Sequence, residues 1–225
     1  MKTHVISLGG SIIVPDDVDV QFLSSFRDMI KARVAKGERI IIVCGGGALS
    51  ASYLKTAKGM GTVDDDAADW IGIYATRINA TLVRTLFPND AYHAIIEDPT
   101  AEFETDKRII IASGWKPGFS TDYDAVILAE RFGADRVVNM SNIRQVFDKD
   151  PSKHDDAEPL EQISWDNYRA IIQEDWSPRL STPFDPIASK LAQEKSIKVV
   201  VVLGNELANV ANVLDGKAFN GTVIG

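Results

Sequence analysis

Several ingredients are scarce in this chain of 225 residues. It has one cysteine, Cys44, so an intrachain disulfide is impossible and a reducing compartment is expected. Its three histidines, His4, His93 and His154, are too scattered to form a metal-binding spacing. No apolar run approaches the roughly 18 to 20 residues that a bilayer span requires. Met1-Lys2-Thr3-His4 leads straight into a strand without a signal-peptide pattern, so a cytoplasmic protein with no membrane partner is expected. Positive charge is in the minority, 24 Lys and Arg against 32 Asp and Glu. The resulting net charge of -8 argues against a non-specific nucleic-acid binder, and no nucleic-acid partner is expected. Neither of the two common nucleotide fingerprints, GxxxxGK[ST] and GxGxxG, occurs anywhere.

What the chain does have is glycine in clusters at strand ends. Val5-Ile6-Ser7-Leu8 runs into Gly9-Gly10-Ser11, and Arg39-Ile40-Ile41-Ile42-Val43-Cys44 runs into Gly45-Gly46-Gly47. Without a Cβ, successive glycines let backbone N–H groups close around a bulky anion, and phosphate is the obvious guest. The second cluster also opens a helix near Ala48, where unpaired first-turn amides and the helix dipole favour negative charge.

The remaining pattern alternates. After Pro15, the residues Val20, Leu23, Phe26, Ile30 and Val34 mark one apolar helix face that stops at Gly37. Asp64 to Phe87 carries Ala67, Ile71, Ala75, Ile78 and Leu82 and is stopped by Pro88. Strand-like runs fall at 91–96, 108–112, 136–140 and 198–203, and helical runs at 122–132, 165–174, 185–194 and 206–214. Strands apolar on both faces, such as Val199-Val200-Val201-Val202, alternating with helices predict an α/β fold, a mostly parallel sheet covered on both sides, in a single domain over residues 1–225. Ligands of such sheets bind beyond the carboxyl ends of the strands, where both glycine clusters lie. Asp148 to Pro159, dense in Asp, Lys and Pro, reads as an exposed loop.

A third glycine-bearing loop, Ser113-Gly114-Trp115-Lys116-Pro117-Gly118-Phe119-Ser120-Thr121-Asp122, also follows a strand. Ser120, Thr121 or Asp122 there would serve as a helix N-cap, and Asp124 as first-turn charge; Asp122 is also a candidate catalytic carboxylate. Asp64-Asp65-Asp66 reads as the negative start of a helix, with Asp69 a candidate for accepting ribose hydroxyls.

These stretches together resemble the amino acid kinase family, and within it the uridylate kinase branch of archaeal type. The likeness is carried by residues 8–15, by Val43-Cys44-Gly45-Gly46-Gly47 and by Asp69-Trp70-Ile71-Gly72-Ile73-Tyr74-Ala75-Thr76-Arg77-Ile78-Asn79-Ala80. It continues through Pro117-Gly118-Phe119-Ser120-Thr121-Asp122, Asn142, Asp150-Pro151 and Asp185-Pro186-Ile187-Ala188. The resemblance implies a three-layer αβα sandwich, a homohexamer, and transfer of the ATP γ-phosphoryl group to UMP with Mg²⁺ carried by ATP rather than held in a protein metal site. By motif position it implies ATP contacts at Gly9, Gly10, Ser11, Gly47, Ser141, Phe147 and Asp150. UMP contacts are implied at Gly46, Asp69, Trp115, Lys116, Pro117, Gly118, Phe119, Ser120 and Thr121. Asp122, Gly10 and Lys116 are the implied catalytic group, with Asp122 matching the family aspartate that orders the catalytic cations. Two other readings stay open: a sibling kinase with another phosphate, carboxylate or carbamate acceptor, and a non-catalytic nucleotide- or oxyanion-binding protein of the same fold.

The chain departs from the family pattern at four places. Ser7 stands where many members carry lysine, although archaeal-type members can also lack it, and Ala51 stands where an arginine would fork onto phosphate. Lys55 and Lys116 are the candidates to replace that charge. Trp115 stands for a threonine, and Arg144-Gln145-Val146-Phe147 for an Asp-Gly-Val-Tyr stretch, which alters the turn beside the adenosine.

Overall fold

The computed structural model describes residues 1–61, 63–172 and 182–225. Strands β1 (Thr3–Leu8), β2 (Arg39–Cys44), β3 (Ile109–Ala112) and β4 (Arg136–Ser141) are followed by the short β5 (Val146–Phe147), β6 (Pro159–Leu160) and β7 (Gln162–Ile163), then β8 (Lys198–Leu203) and β9 (Thr222–Ile224). The main sheet has seven strands in the order β3-β2-β1-β4-β8-β9-β7, while β5 and β6 pair antiparallel on their own. From β3 to β8 every pairing is parallel, and β9 runs antiparallel to β8. The chain steps from β1 outward to β2 and β3, then returns to the other side of β1 with β4. That reversal opens a crevice at the carboxyl ends of β1 and β4, the usual ligand position in such sheets.

The helices are α1 (Gly10–Ile13), α2 (Val20–Ala35), α3 (Gly47–Met60), α4 (Asp65–Thr85), α5 (Thr121–Arg131), α6 (Trp165–Ile171), α7 (Pro186–Glu194) and α8 (Leu207–Asp215). Alternation along each strand sends its side chains to opposite faces. Ile6, Leu8, Ile40, Ile42, Val138, Met140, Val200 and Val202 meet Phe26 and Ile30 of α2, Val83 of α4 and Val213 of α8. Val5, Ile41, Val43, Val137, Val199 and Val201 meet Ala125 and Leu128 of α5, Tyr168 of α6 and Ala188 of α7. The result is the expected αβα sandwich. Cys44 is buried and free, and burial raises its thiol pKa above the ordinary value. No helix among the described residues is long and apolar enough to cross a membrane.

Three elements differ from the sequence reading. The run 91–96 touches β3 only at isolated bridges, Ala91 with Ile109 and Ile96 with Ala112. Between Tyr92 N–H donating to Ile109 O (2.8 Å) and Ile96 N–H donating to Ile111 O (2.9 Å), this segment advances further than β3 does. The surplus between those two bonds interrupts the ladder, and the Tyr92 ring stacks on Phe103. In α4, the expected apolar face overlaps the core face only at Ala75 and at Leu82, which packs against the core. The buried residues are Ala68, Ile73, Ala75, Thr76, Asn79, Ala80 and Val83, whereas Ile78 is exposed. The expected helix 165–174 ends at Ile171, and its last two residues lie outside the described ones. The loop 148–159 is largely exposed as expected, with β6 starting at its end.

Candidate active site

At the crevice the first two glycine clusters touch backbone to backbone. Gly9 N–H donates to Met140 O (2.9 Å) and Gly45 N–H donates to Leu8 O (2.9 Å), which ties both turns to the strand ends. A Cβ on Gly10 would lie 2.0 Å from the Gly47 nitrogen, and one on Gly47, whose φ is +58°, would lie 2.2 Å from Gly10 C and O. Only glycine fits at either place. Gly10 and Ser11 begin α1, where intrahelical bonding starts with Ile12 and Ile13 N–H donating to Gly9 O. Gly46 caps the start of α3.

One face of α4 positions the loops. Asn79 Nδ2 donates to Gly45 O (2.7 Å) and Gly46 O (3.2 Å), fixing the triple-glycine turn. Thr76 Oγ1 accepts from Gly114 N–H (2.8 Å), and Asp69 Oδ2 accepts from Gly118 N–H (2.8 Å), fixing the third loop at two points. Residues 69, 72, 73, 76 and 79 recur every three or four positions and so share that face. The sequence reading quoted Thr76 and Asn79 as motif members but assigned them no role. Their signal was there, because polar side chains at helical spacing inside an otherwise apolar pattern need buried partners. Burial, followed by the charges of Asp65 and Asp66, raises the Asp69 carboxyl pKa, and the Gly118 amide opposes that shift.

The three loops and the facing sides of α3 and α4 enclose a cleft of about 630 Å³. Its wall includes Gly10, Ser11, Gly46, Gly47, Asp69, Phe119, Ser120, Thr121 and Asp122, all candidates from the sequence, together with Asp185. Ser120 accepts from Tyr123 N–H (3.3 Å) and is the N-cap of α5, which places Asp122 in the first turn, beneath the glycine loops. Asp122 Oδ1 accepts from Ser7 Oγ (3.0 Å) and Oδ2 accepts from Asp185 N–H (3.2 Å). Desolvation, then the nearby Asp185 charge, pushes its carboxyl up to about 7. Asp124 lies in the first turn of α5, as the sequence suggested, but it does more than complement the dipole. It is fully buried, accepts from Trp115 N–H (3.1 Å) through Oδ2, and desolvation raises its pKa well above the ordinary range.

Other candidates stand off the wall. Lys116 Nζ lies 3.8 Å from the centre of the Trp115 ring, and Trp115 in turn packs on Phe119. Pro117 and Gly118 are not among the residues of the wall, and the Gly118 amide is held by Asp69. Gly9 is likewise not among the residues of the wall, and the Ser141 Cα is 3.6 Å from the Cβ position of Gly9. Phe147 lies in β5, and Asp150 bonds the Ser152 amide and hydroxyl in the turn beyond. Ala51 lines the cleft, whereas Lys55 points to solvent. Among the described residues, no lysine or arginine lines the cleft, and no group of His, Cys, Asp and Glu there is arranged to hold a metal.

Glycine turns meeting at a sheet switch point, with a carboxylate on the wall of the same cleft, make up the candidate site of this αβα scaffold. The chain belongs to the amino acid kinase family, whose model matches residues 2–203. It is 33% identical over 224 residues to the uridylate kinase of Thermococcus kodakarensis, covering 98% of both chains. It is 34% identical over 221 residues to the uridylate kinase of Thermoplasma volcanium, covering 96% of this chain and 94% of that one. The crystal structure of the uridylate kinase from Archaeoglobus fulgidus superposes with a TM-score of 0.81 at 31% identity, with both chains fully covered.

Proposed function

We propose that this chain is a nucleoside monophosphate kinase that moves the γ-phosphoryl group of MgATP onto the phosphate of UMP, giving UDP and ADP for pyrimidine nucleotide synthesis. The observation that carries this reading is the direct backbone contact of Gly10 with Gly47 above Asp122, in a chain similar end to end to archaeal uridylate kinases. Phosphoryl transfer needs little covalent chemistry from a protein; it needs two anions held in line, neutralised and shielded from water. In this reading Gly9, Gly10, Ser11 and Gly47 hold the ATP phosphates, and Ser141, Phe147 and Asp150 the adenosine. Gly46, Asp69 and the loop from Trp115 to Thr121 hold UMP. Asp122 organises the centre.

In this reading the Mg²⁺ on ATP brings positive charge to a cleft whose described residues supply amides and carboxylates. For Lys116 to serve as a phosphate cation it must leave the Trp115 ring, at a cost of about 0.5–1 kcal/mol for an exposed cation–π contact. No observation favours a different acceptor or a binding-only protein. The single-domain organisation over 1–225, the cytoplasm and the homohexamer form part of the same proposal. The apolar groove between α3 and α4, about 540 Å³ and lined by Tyr53, Trp70, Tyr74 and Ile78, offers a surface for a second copy of the chain. Light scattering in solution checks the assembly.

The activity test is incubation with MgATP and a panel of nucleoside monophosphates and small acids, following ADP and its partner product. UDP from UMP alone is expected; ADP with another acceptor, or tight nucleotide binding without turnover, replaces the reading. Asp122→Asn is expected to lower kcat by about a hundredfold or more, the scale of losing one preorganised electrostatic group. Unchanged turnover removes Asp122 from the mechanism.

A further inference from the structure

Ser7 and Asn139 are polar residues inside the two apolar strands that border the switch point. They are register partners across β1 and β4, and they are only 4% and 5% exposed. Val5 and Val137, two residues earlier on the same strands, belong to the α5–α7 side of the core, so Ser7 and Asn139 face that layer as well. Asn139 Nδ2 donates to Pro183 O (2.9 Å), at the approach to α7, whose first cap is Asp185. Ser7 Oγ donates to Asp122 Oδ1 (3.0 Å), and Asp185 N–H donates to Asp122 Oδ2 (3.2 Å). Each oxygen of the cleft carboxylate is therefore held by a donor from a different element. Packing alone does not ask for a hydroxyl at position 7, since a buried polar group is costly unless it is bonded.

We infer that Ser7 is the positioning residue for Asp122, its hydroxyl fixing the carboxylate under the glycine loops and favouring its charged form. This rests on the reading of Asp122 given under Proposed function. Among the described residues, the charge that acts on Asp122 is that of Asp185 at the start of α7; the Asp122 charge in turn raises Asp124 on α5 and Tyr168 of α6, whose hydroxyl donates to Phe184 O (2.7 Å). Desolvation and the Asp185 charge work against the carboxylate, and the Ser7 hydroxyl and Asp185 amide work for it. Removing the Ser7 donor takes away one stabiliser of the charged form, so the carboxyl must titrate at higher pH. A charge-assisted hydrogen bond of ordinary strength corresponds to a shift of about one pH unit.

The experiment measures the pH dependence of kcat/KM for UMP with Ser7→Ala, Ser7→Cys and Ser7→Thr. It also follows the titration of Asp122 by carbon NMR of aspartate-labelled protein, with the signal assigned through Asp122→Asn. Ser7→Ala is expected to move the acid limb and the NMR midpoint up by about one unit, giving about tenfold lower kcat/KM below the limb and little change at high pH. Ser7→Cys, with its weak donor, is expected to move both by less, and Ser7→Thr to restore them. If Ser7→Ala does not fold, Ser7→Cys alone decides. An Asp122 midpoint unmoved in the folded variants overturns the inference while leaving the proposed activity intact. Full turnover by Asp122→Asn removes Asp122 from the mechanism, and the NMR midpoint still reports on Ser7.

Discussion

A methyl group on Gly10 would press 2.0 Å from the Gly47 nitrogen and 2.5 Å from Gly46 C, both backbone atoms with no side chain to yield. Anion binding was the reason the sequence suggested for these glycines; the close crossing of two turns is a second and independent one. The two reasons are linked, because the crossing is what sets amides from separate turns side by side. Gly10→Ala is therefore expected to destabilise the fold by about 3 kcal/mol, the upper part of the range for overpacking, measured by denaturant unfolding. A variant of unchanged stability would mean that the turns separate easily. Asp122 also carries a pH prediction. Its carboxyl is raised to about 7, so the charged form is present above that value and lost below it. If the charged form is the active one, kcat/KM for UMP rises with pH through a limb near 7 in the free enzyme. A rate profile flat from pH 5 to 8 would contradict that role.

The helix α4 acts as a ruler for the site. Asp69, Thr76 and Asn79 reach the third loop and the triple-glycine turn from one face, while Trp70, Tyr74 and Ile78 line an outer groove from another. The sequence showed that a helix lay here but not which face turned inward, because α4 is apolar on more than one side. The run Ala67, Ile71, Ala75 and Ile78 follows the outer groove. Asn79→Ala is expected to free the Gly45 and Gly46 carbonyls, costing about 1–3 kcal/mol of stability and raising KM for both nucleotides. Calorimetry and steady-state kinetics check the two effects. Strands β1, β2, β4 and β8 and helices α2, α5, α7 and α8 were legible because their apolar periods are strong and glycine, proline or capping residues bound them. The short β7 and β9 were not, since two or three residues carry no period, and their pairing is decided by distant partners. Likewise the sequence named Gly10, Ser11, Gly46, Gly47, Asp69 and residues 119–122 of the cleft wall, whereas its candidate Lys116 lies on the neighbouring Trp115 ring.

Across the molecule, the polar groups at the two ends of the sheet serve different ends. Opposite the cleft, near the amino ends of β1 and β2, His4 Nε2 lies 3.3 Å from Glu38 Oε2. Arg33 is buried against Asp215, lies 3.8 Å from Glu38, and donates to Ala211 O (2.9 Å), clamping α2 to α8. The Arg33 hydrogen bond, with help from Lys217, holds the Asp215 carboxyl down to about 2. This pairing contributes stability above the unfolded carboxyl value and loses it as the pH falls toward 2. Arg33→Met should lower Tm by roughly 5 °C or more at neutral pH and flatten the acid decline, with kcat unchanged. An equal loss of turnover would mean that this end of the sheet is coupled to the cleft.

The central claim is that turns from separate strands bring donor and acceptor phosphates together over Asp122. A crystal structure with UMP and a non-hydrolysable ATP analogue tests it most directly. The account predicts the UMP phosphate against Gly46, facing the terminal phosphate of the analogue held near Gly10 and Gly47. Phosphates held in separate regions, or UMP seated in the groove between α3 and α4, would contradict it.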